Sequence, residues 1–380
     1  MAVFALQPMA LGAWLALIPE VQAALGLGKA ELALALLGMP VATVPGLQLA
    51  SRALTRWGPR RVLRPCFLLQ LPIFALPLFA PSQGALFAVL MLAGLVMAFM
   101  QVSLNVYAGR LEKQSGQAVM SRCHGFWALG LMAGSFAVPL VLGAGPLWAY
   151  LAVATPAALA GVAAATLLPR LEGEASDRPA PPRRALRQMP RALVAISLFA
   201  LAVAMLEGAM ADWGAIYMAE RLGGEGARAG WAVSLYAGFL ALGRLLGDAA
   251  RRRLGVLGLA RGSFALAILG LLALILPLPL GAAWAGFALV GLGASVGYPL
   301  AVSAAAALGD LYESANIAFL STVAMCGFLL GPPLIGFVAD AASLRTGLAV
   351  LLPGLLLGLG LAAALVPGRA IHAENRARAR

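Results

Sequence analysis

Apolar stretches of roughly 20 residues follow one another along almost the whole chain, and that feature narrows the possible folds more than any other. Segments such as Gly262 to Trp284 and Leu344 to Val366 are apolar on nearly every side, whereas a helix on the surface of a soluble domain keeps a polar face. With 62% hydrophobic and 11% charged residues among 380, and a mean hydropathy of +0.91, the chain has too little polar surface to cover a soluble globule of its size. It therefore reads as a membrane protein. Because lipid offers no hydrogen bonds to the backbone, each span of this length is a helix.

Cutting the chain at roughly 20 apolar residues per span gives twelve: 2–24, 31–52, 62–80, 84–108, 121–143, 146–168, 192–218, 229–250, 258–278, 282–308, 315–340 and 344–366. The one long stretch that water would welcome lies between the sixth and seventh. It runs from Pro169 to Arg191 and is crowded with proline and arginine, including Pro179, Pro181, Pro182, Arg183 and Arg184. The expected organisation is an N-terminal six-helix bundle over 1–168, a linker over 169–191, a C-terminal six-helix bundle over 192–368 and a tail over 369–380. Pro8, Gly12 and Pro19 are expected to break the first span, Pro40 and Pro45 the second, Pro299 the tenth, and Gly331, Pro332 and Pro333 the eleventh.

A net charge of +12 raises the question of nucleic acid, and the placement of the basic residues answers it. They gather at Arg52–Arg64, Arg110–Arg122, the linker, Arg251–Arg261 and after Val366, all on one side of the alternating spans. Lys29, Arg221, Arg228 and Arg345 occupy the other side, and Arg244 lies inside a span. This is the positive-inside bias, and it puts the linker and both termini in the cytoplasm. The basic loops carry no aromatic stacking platform, so a nucleic-acid partner is excluded. The chain starts abruptly for a first span, which suggests that a short cytoplasmic lead precedes it, and no basic region with a cleavage site marks a signal peptide. Cys66, Cys123 and Cys326 are odd in number and sit at or within spans, so they read as small buried hydrophobes.

The two halves repeat at one ungapped offset. Leu25-Gly26, Gly46, Gly58, Gly94, Gly130 and Gly134 recur 197 residues later as Leu222-Gly223, Gly243, Gly255, Gly291, Gly327 and Gly331. An internal duplication of this kind is a hallmark of transporter folds, in which a site lies between the repeats near the membrane midplane. The small residues Gly130/Gly134 and Gly327/Gly331, four apart, suit close helix crossings.

Two loops at equivalent places in the repeat carry a further signature. Ser51-Arg52-Ala53-Leu54-Thr55-Arg56-Trp57-Gly58-Pro59-Arg60-Arg61 follows the second span, and Gly243-Arg244 through Gly247-Asp248 to Arg251-Arg252-Arg253-Leu254-Gly255 follows the eighth. Here the chain resembles the major facilitator superfamily, whose members carry a glycine, an acid and a basic run around a second glycine in these loops. The resemblance covers essentially the whole chain and implies an all-α membrane protein of twelve transmembrane helices in two pseudo-symmetric six-helix bundles. It also implies a cytoplasmic charge latch that closes in the outward-open state. Ser51 and Thr55 stand where the first copy would hold its acid, so the latch would rest on Arg244, Asp248, Arg251, Arg252 and Arg253, with Arg56, Arg60 and Arg61 beside it. The stretches around Asn105, Tyr107 and Glu112, Ser121 to Trp127, and Glu207 to Trp213 are similar to a bacterial inner-membrane branch distantly like the fucose permeases. Many members of that branch carry an arginine in the first span, where this chain has Leu17, which argues against an anion bound there.

Several groups stand out as candidates for the work. Glu207 is a carboxylate near the middle of the seventh span, where a charge costs roughly 2.5–3.5 kcal/mol to insert. It reads as a proton or substrate group, with a structural hydrogen bond as the plainer alternative. Asp212 follows five residues on, about 500° round the helix, so the two carboxylates face different ways. It either braces the helix or meets solute nearer the outer mouth. Asn105, Glu112, Arg122 and His124 gather toward one end of the fourth and fifth spans and form either an inner-gate network or simple packing, while Glu20 is expected to face water. No partner at ligand spacing makes His124 a metal site. Trp14, Trp127, Trp213, Tyr236 and Tyr298 are the aromatic candidates for a central cavity, while Trp148, Trp231 and Trp284 read as interfacial.

The sequence is thus read as a secondary active transporter of the bacterial inner membrane, moving a small solute with protons as the expected drive. It needs no cofactor, and a monomer suffices. Export of a drug or metabolite on the same fold, and a membrane sensor that does not transport, are the alternatives. An intramembrane enzyme would need a nucleophile with its base or a metal cluster, and no H-E-x-x-H occurs.

Overall fold

A computed structural model of the chain describes residues 1–115, 119–169, 189–223, 228–308 and 313–366. Most of the expected linker, at 170–188, and the tail from 367 lie outside these residues. The described residues form an all-helical array in which eleven helices are long and apolar enough to span a membrane. One of them, Gly230–Ile275, has 46 residues. At 1.5 Å per residue it would be ~69 Å long, more than twice the ~30 Å of a hydrocarbon core. It is two spans joined at Gly255, whose φ of 68° and ψ of 173° are not helical. The count among the described residues is therefore twelve.

In order these are α1 Ala2–Leu25, α2 Lys29–Trp57, α3 Pro59–Phe79, α4 Gln83–Ser115, α5 Met120–Val141 and α6 Pro146–Leu167. The second half follows as α7 Arg191–Arg221, α8 over 230–254, α9 over 256–275, α10 Leu280–Ala306, α11 Glu313–Ala341 and α12 Leu344–Leu365.

The duplication seen in the sequence is written into the backbone. Gly26 and Gly223 both take positive φ, at 62° and 68°, and both end the first helix of their half. Gly58 (φ 76°) and Gly255 (φ 68°) do the same between the second and third. Only glycine adopts this region without steric cost. Gly94 lets α4 press on the Met39 carbonyl of α2, and Gly291, 197 residues on, lets α10 press on the Tyr236 carbonyl of α8. Gly130 and Gly134 likewise bring α5 onto the Ala5 and Met9 carbonyls of α1, and Gly327 brings α11 to within 3.0 Å of where α7's Leu201 carbonyl would meet a Cβ. In lipid, where burial of apolar surface does not drive helices together, such close approach supplies the packing.

Prolines break only some helices. A proline lacks the N–H that would bond the carbonyl four residues earlier, and its ring crowds that carbonyl. α2 is interrupted after Leu36, four before Pro40; α10 at Ser295, four before Pro299; and α12 after Ala349, four before Pro353. The breaks expected in α1 and α11 do not occur: α1 runs unbroken through Pro8 and Pro19, and α11 through Pro332 and Pro333. Pro45 also lies inside continuous helix.

The two halves meet along α5 and α8. Ser135 and Ser234 share a buried hydroxyl hydrogen bond of 2.9 Å, Trp231 Nε1 donates to the Phe136 carbonyl at 3.3 Å, and Gly125 lies against Leu245. At the end away from the arginine loops, Lys29 Nζ pairs with Glu220 at 2.8 Å while its backbone N–H donates to Asp340 at 3.1 Å. Both acids belong to the second half, so this short loop clasps the two bundles together. Glu31 holds the loop in shape by accepting from the Gly28 N–H at 2.9 Å. Lys29→Glu is expected to part this end, because it turns an attraction into repulsion by two carboxylates. Maleimide labelling of a cysteine placed at the fully buried Ala33 should then rise several-fold over the same cysteine in the otherwise unaltered chain.

Candidate functional site

Glu207 sits halfway along α7, 14 residues or ~21 Å from its C-terminal end at Arg221. Arg244 sits the same distance into α8 from Gly230. The two meet: Arg244 Nη2 donates to Glu207 Oε1 at 3.2 Å. Their side chains are 11% and 19% exposed, so the pair is largely enclosed yet still reached by solvent.

The local sequence explains the placement. Gly208, next to the acid, makes room for the ring of Phe328 from α11. Gly243, next to the arginine, lets α8 nest against Ser295, where Pro299 has interrupted α10. Ser295 turns its hydroxyl onto the Leu292 carbonyl at 2.7 Å. Arg244 is thus removed from the loop latch in which the sequence pattern put it. The rest of that set, Asp248, Arg251, Arg252 and Arg253, is exposed beyond it, and no ion pair joins them among the described residues.

The pair has further groups around it. Tyr236, on α8, and His124, on α5 of the other half, are within electrostatic reach of Arg244, and Tyr236 also of Glu207. The Tyr236 hydroxyl and Arg244 Nε are buried and have no hydrogen-bond partner. Beside His124 the first half contributes a chain of contacts that sequence reading missed. Trp127 Nε1 donates to Gln7 Oε1 at 2.8 Å, Gln7 Nε2 reaches Met97 Sδ at 3.0 Å, and Phe4 meets the His124 ring edge-on. Gln7 is a polar residue 1% exposed inside the first span, and that combination was its only signal.

The other expected site residues are dispersed. Asp212 has no hydrogen bond or ion pair among the described residues. Trp213 is fully buried with its ring against Gly336 and its Nε1 unpartnered. Trp14 is 1% exposed and Tyr236 2%, so both are buried, whereas Trp127 and Tyr298 are half-buried. Tyr298 shares a 3.1 Å hydrogen bond with Ser321 across α10 and α11. Asn105 is half-buried with Oδ1 unpartnered. Glu112 accepts the N–H groups of Val119 and Met120, at 3.4 and 3.2 Å, and so ties α4 to the first turn of α5. Arg122 is exposed. Arg60 donates to the Thr166 carbonyl at 3.1 Å, Arg56 lies 5.7 Å over the ring of Trp57, and Arg61 is exposed. Glu20 is half-buried and lines a groove of about 270 Å³ with Val21, Phe79 and Pro146, within the first half and away from the pair.

Magnitudes say what a pair like Glu207–Arg244 is for. At 3.2 Å and an effective dielectric near 20 its attraction is about 5 kcal/mol. Removing each ion from water costs several kcal/mol, so the net contribution to stability is near zero. The bond is also longer than the ~2.7–2.9 Å of a strong charge-assisted contact and uses one of five guanidinium donors. Such a pair is inexpensive to exchange for another partner and costly to leave half-empty.

Comparison with known proteins agrees with the fold. The family model of the Major Facilitator Superfamily matches residues 1–309. An uncharacterised transporter of this type from Yersinia pestis is 31% identical over 347 residues, 90% of this chain and 88% of the relative. Among solved structures, a point mutant of the nucleoside transporter NupG superposes with a TM-score of 0.72 at 13% identity, covering 96% of this chain and 97% of that one. A bacterial homologue of the human lysosomal transporter Spinster, in an inward-facing and unoccupied conformation, gives 0.67 at 13% identity over 98% and 96%.

Proposed function

The chain belongs to the major facilitator superfamily, and on that premise we propose that it is a secondary active transporter whose central Glu207–Arg244 pair couples solute movement to protons. It is a multi-pass membrane protein. Its arginine-rich loops face the cytoplasm of a bacterial cell by the positive-inside bias, and its two six-helix bundles, divided at the linker, rock about the midplane as a monomer.

The observation that carries this reading is the ion pair itself. A charge in the middle of a span is retained at a cost in insertion, and its default role is on a solute or ion path. Glu207 held by Arg244 is ionised and neutralised; Glu207 released from Arg244 in the same enclosed space is neutral when it carries a proton. Exchange of Arg244 for a proton therefore keeps the carboxylate neutralised, while the guanidinium keeps its positive charge. One entering proton contributes ~1.4 kcal/mol per pH unit, and a further ~2.3 kcal/mol per 100 mV where the solute it accompanies is uncharged.

The test is solute-dependent proton flux into proteoliposomes loaded with a pH-sensitive dye. A transported solute should acidify the lumen with the unaltered protein, and Glu207→Gln should abolish the acidification while leaving solute counterflow at equal pH. Counterflow and proton flux both unchanged by Glu207→Gln would sink the coupling role. Ligand binding with no counterflow at all would favour a sensor over a carrier.

A further inference from the structure

The chemistry left unsatisfied around the central pair points to the solute, given the transporter reading on which this inference rests. Arg244 has five N–H donors, and Glu207 takes one of them at 3.2 Å. Its Nε and the Tyr236 hydroxyl are buried donors with no acceptor. A buried polar group left unpaired costs ~1–3 kcal/mol. His124, on the opposite bundle, is within electrostatic reach of the same guanidinium. What this corner of the protein lacks is an acceptor with several lone pairs in one plane. A carboxylate has about four such positions and fits the guanidinium fork with two parallel bonds.

Charge narrows the class further. The pair is neutral in total. A singly charged anion that displaces Glu207 from Arg244, with one proton on the released carboxylate, leaves the total unchanged. A dianion such as a phosphate would leave a net negative charge in mid-span. A cation would meet the guanidinium and the two idle donors. The first span offers no competing cation, since Leu17 is fully buried and apolar.

We propose that Arg244 is the recognition residue for a small monocarboxylate, which takes the place of the Glu207 carboxylate on the guanidinium. Glu207 is then a built-in competitor for its own transport site. It keeps Arg244 occupied when no solute is present and becomes the proton carrier when solute arrives.

Competition gives the idea an unusual signature. Thermal unfolding of the purified full chain in detergent would be followed with lactate and benzoate, their uncharged amides, succinate and tetraethylammonium as probes. The two monocarboxylates should raise Tm and the amides should not, because an amide cannot form the paired ionic bonds. Glu207→Gln should bind the monocarboxylates at least about tenfold more tightly, since the competing carboxylate is gone; a merely structural acid would give weaker binding or none. Glu207→Gln/Arg244→Gln keeps the site neutral and so is expected to fold, and it should show no shift with any carboxylate. Amides as effective as acids, weaker binding in Glu207→Gln, binding retained in the double variant, or no shift with either monocarboxylate would each overturn the proposal. A neutral or cationic solute that drives proton flux would leave the transporter reading standing and remove the anion. A monocarboxylate that binds but is never exchanged would do the reverse.

Discussion

Arg244→Gln is expected to cost about 3–5 kcal/mol of stability, one of the two largest effects of any single substitution considered for this protein. The reason is asymmetric: deleting one partner of an enclosed pair strands the other charge, whereas deleting both removes the difficulty. Glu207, with its side chain 19% exposed, would be left with too little water to solvate a carboxylate. Two further results follow. Acidification neutralises the stranded carboxylate, so the loss measured at pH 8 should be partly recovered at pH 5. Adding Glu207→Gln should recover most of it at either pH. Thermal unfolding in one detergent across the three variants gives the full cycle. A loss that ignores both pH and the second substitution would mean that Arg244 matters for its bulk and not its charge.

Gly130→Ala is expected to cost at least about 3 kcal/mol, toward or beyond the upper end of overpacking effects. Its Cβ would coincide with the Ala5 carbonyl, and a backbone oxygen cannot rotate aside as a side chain can. α1 and α5 would have to separate, and with them Gln7 and Trp127, which face each other across that crossing. Gly331→Ala supplies the control. The equivalent crossing of α11 and α7 is looser there, with Met205 O at 3.6 Å, an ordinary contact, so this variant should be close to neutral. Yield of monodisperse protein and its Tm measure both. Equal damage from the two would show that the pseudo-symmetric crossings are tighter in solution than their geometry here.

Sequence reading recovered what depends on composition and spacing. Spans of ~20 apolar residues followed from length, and the repeat at 197 residues anticipated paired crossings such as Gly94 on Met39 and Gly291 on Tyr236. Glu207 stood out because a lone carboxylate in a span has few reasons to be there. Its partner did not, because Arg244 is 37 residues away in sequence and stands beside a loop signature that explained it otherwise. In helices that are apolar all round, no stripe reveals which face turns inward. That is why the sequence alone does not separate Trp14, Trp213 and Tyr236, which are fully buried, from Trp127 and Tyr298, which are half-buried. The prolines failed differently. Pro40 and Pro299 each interrupt a helix and Pro8 and Pro332 do not, and the residue alone carries no sign of whether neighbouring turns will take up the missing hydrogen bond.

The loop at Lys29 has a consequence for the surroundings in which the protein works. The lysine and Glu220 are both partly exposed, at 24% and 46%, so salt screens their attraction. The screening length shrinks from ~30 Å in dilute medium to ~8 Å at physiological ionic strength. Dilution on the side that this loop faces would strengthen the clasp and lengthen the time the bundles stay shut there; brine would shorten it. The same molecule would then turn over more slowly in fresh water than in saline, with no change in its solute site.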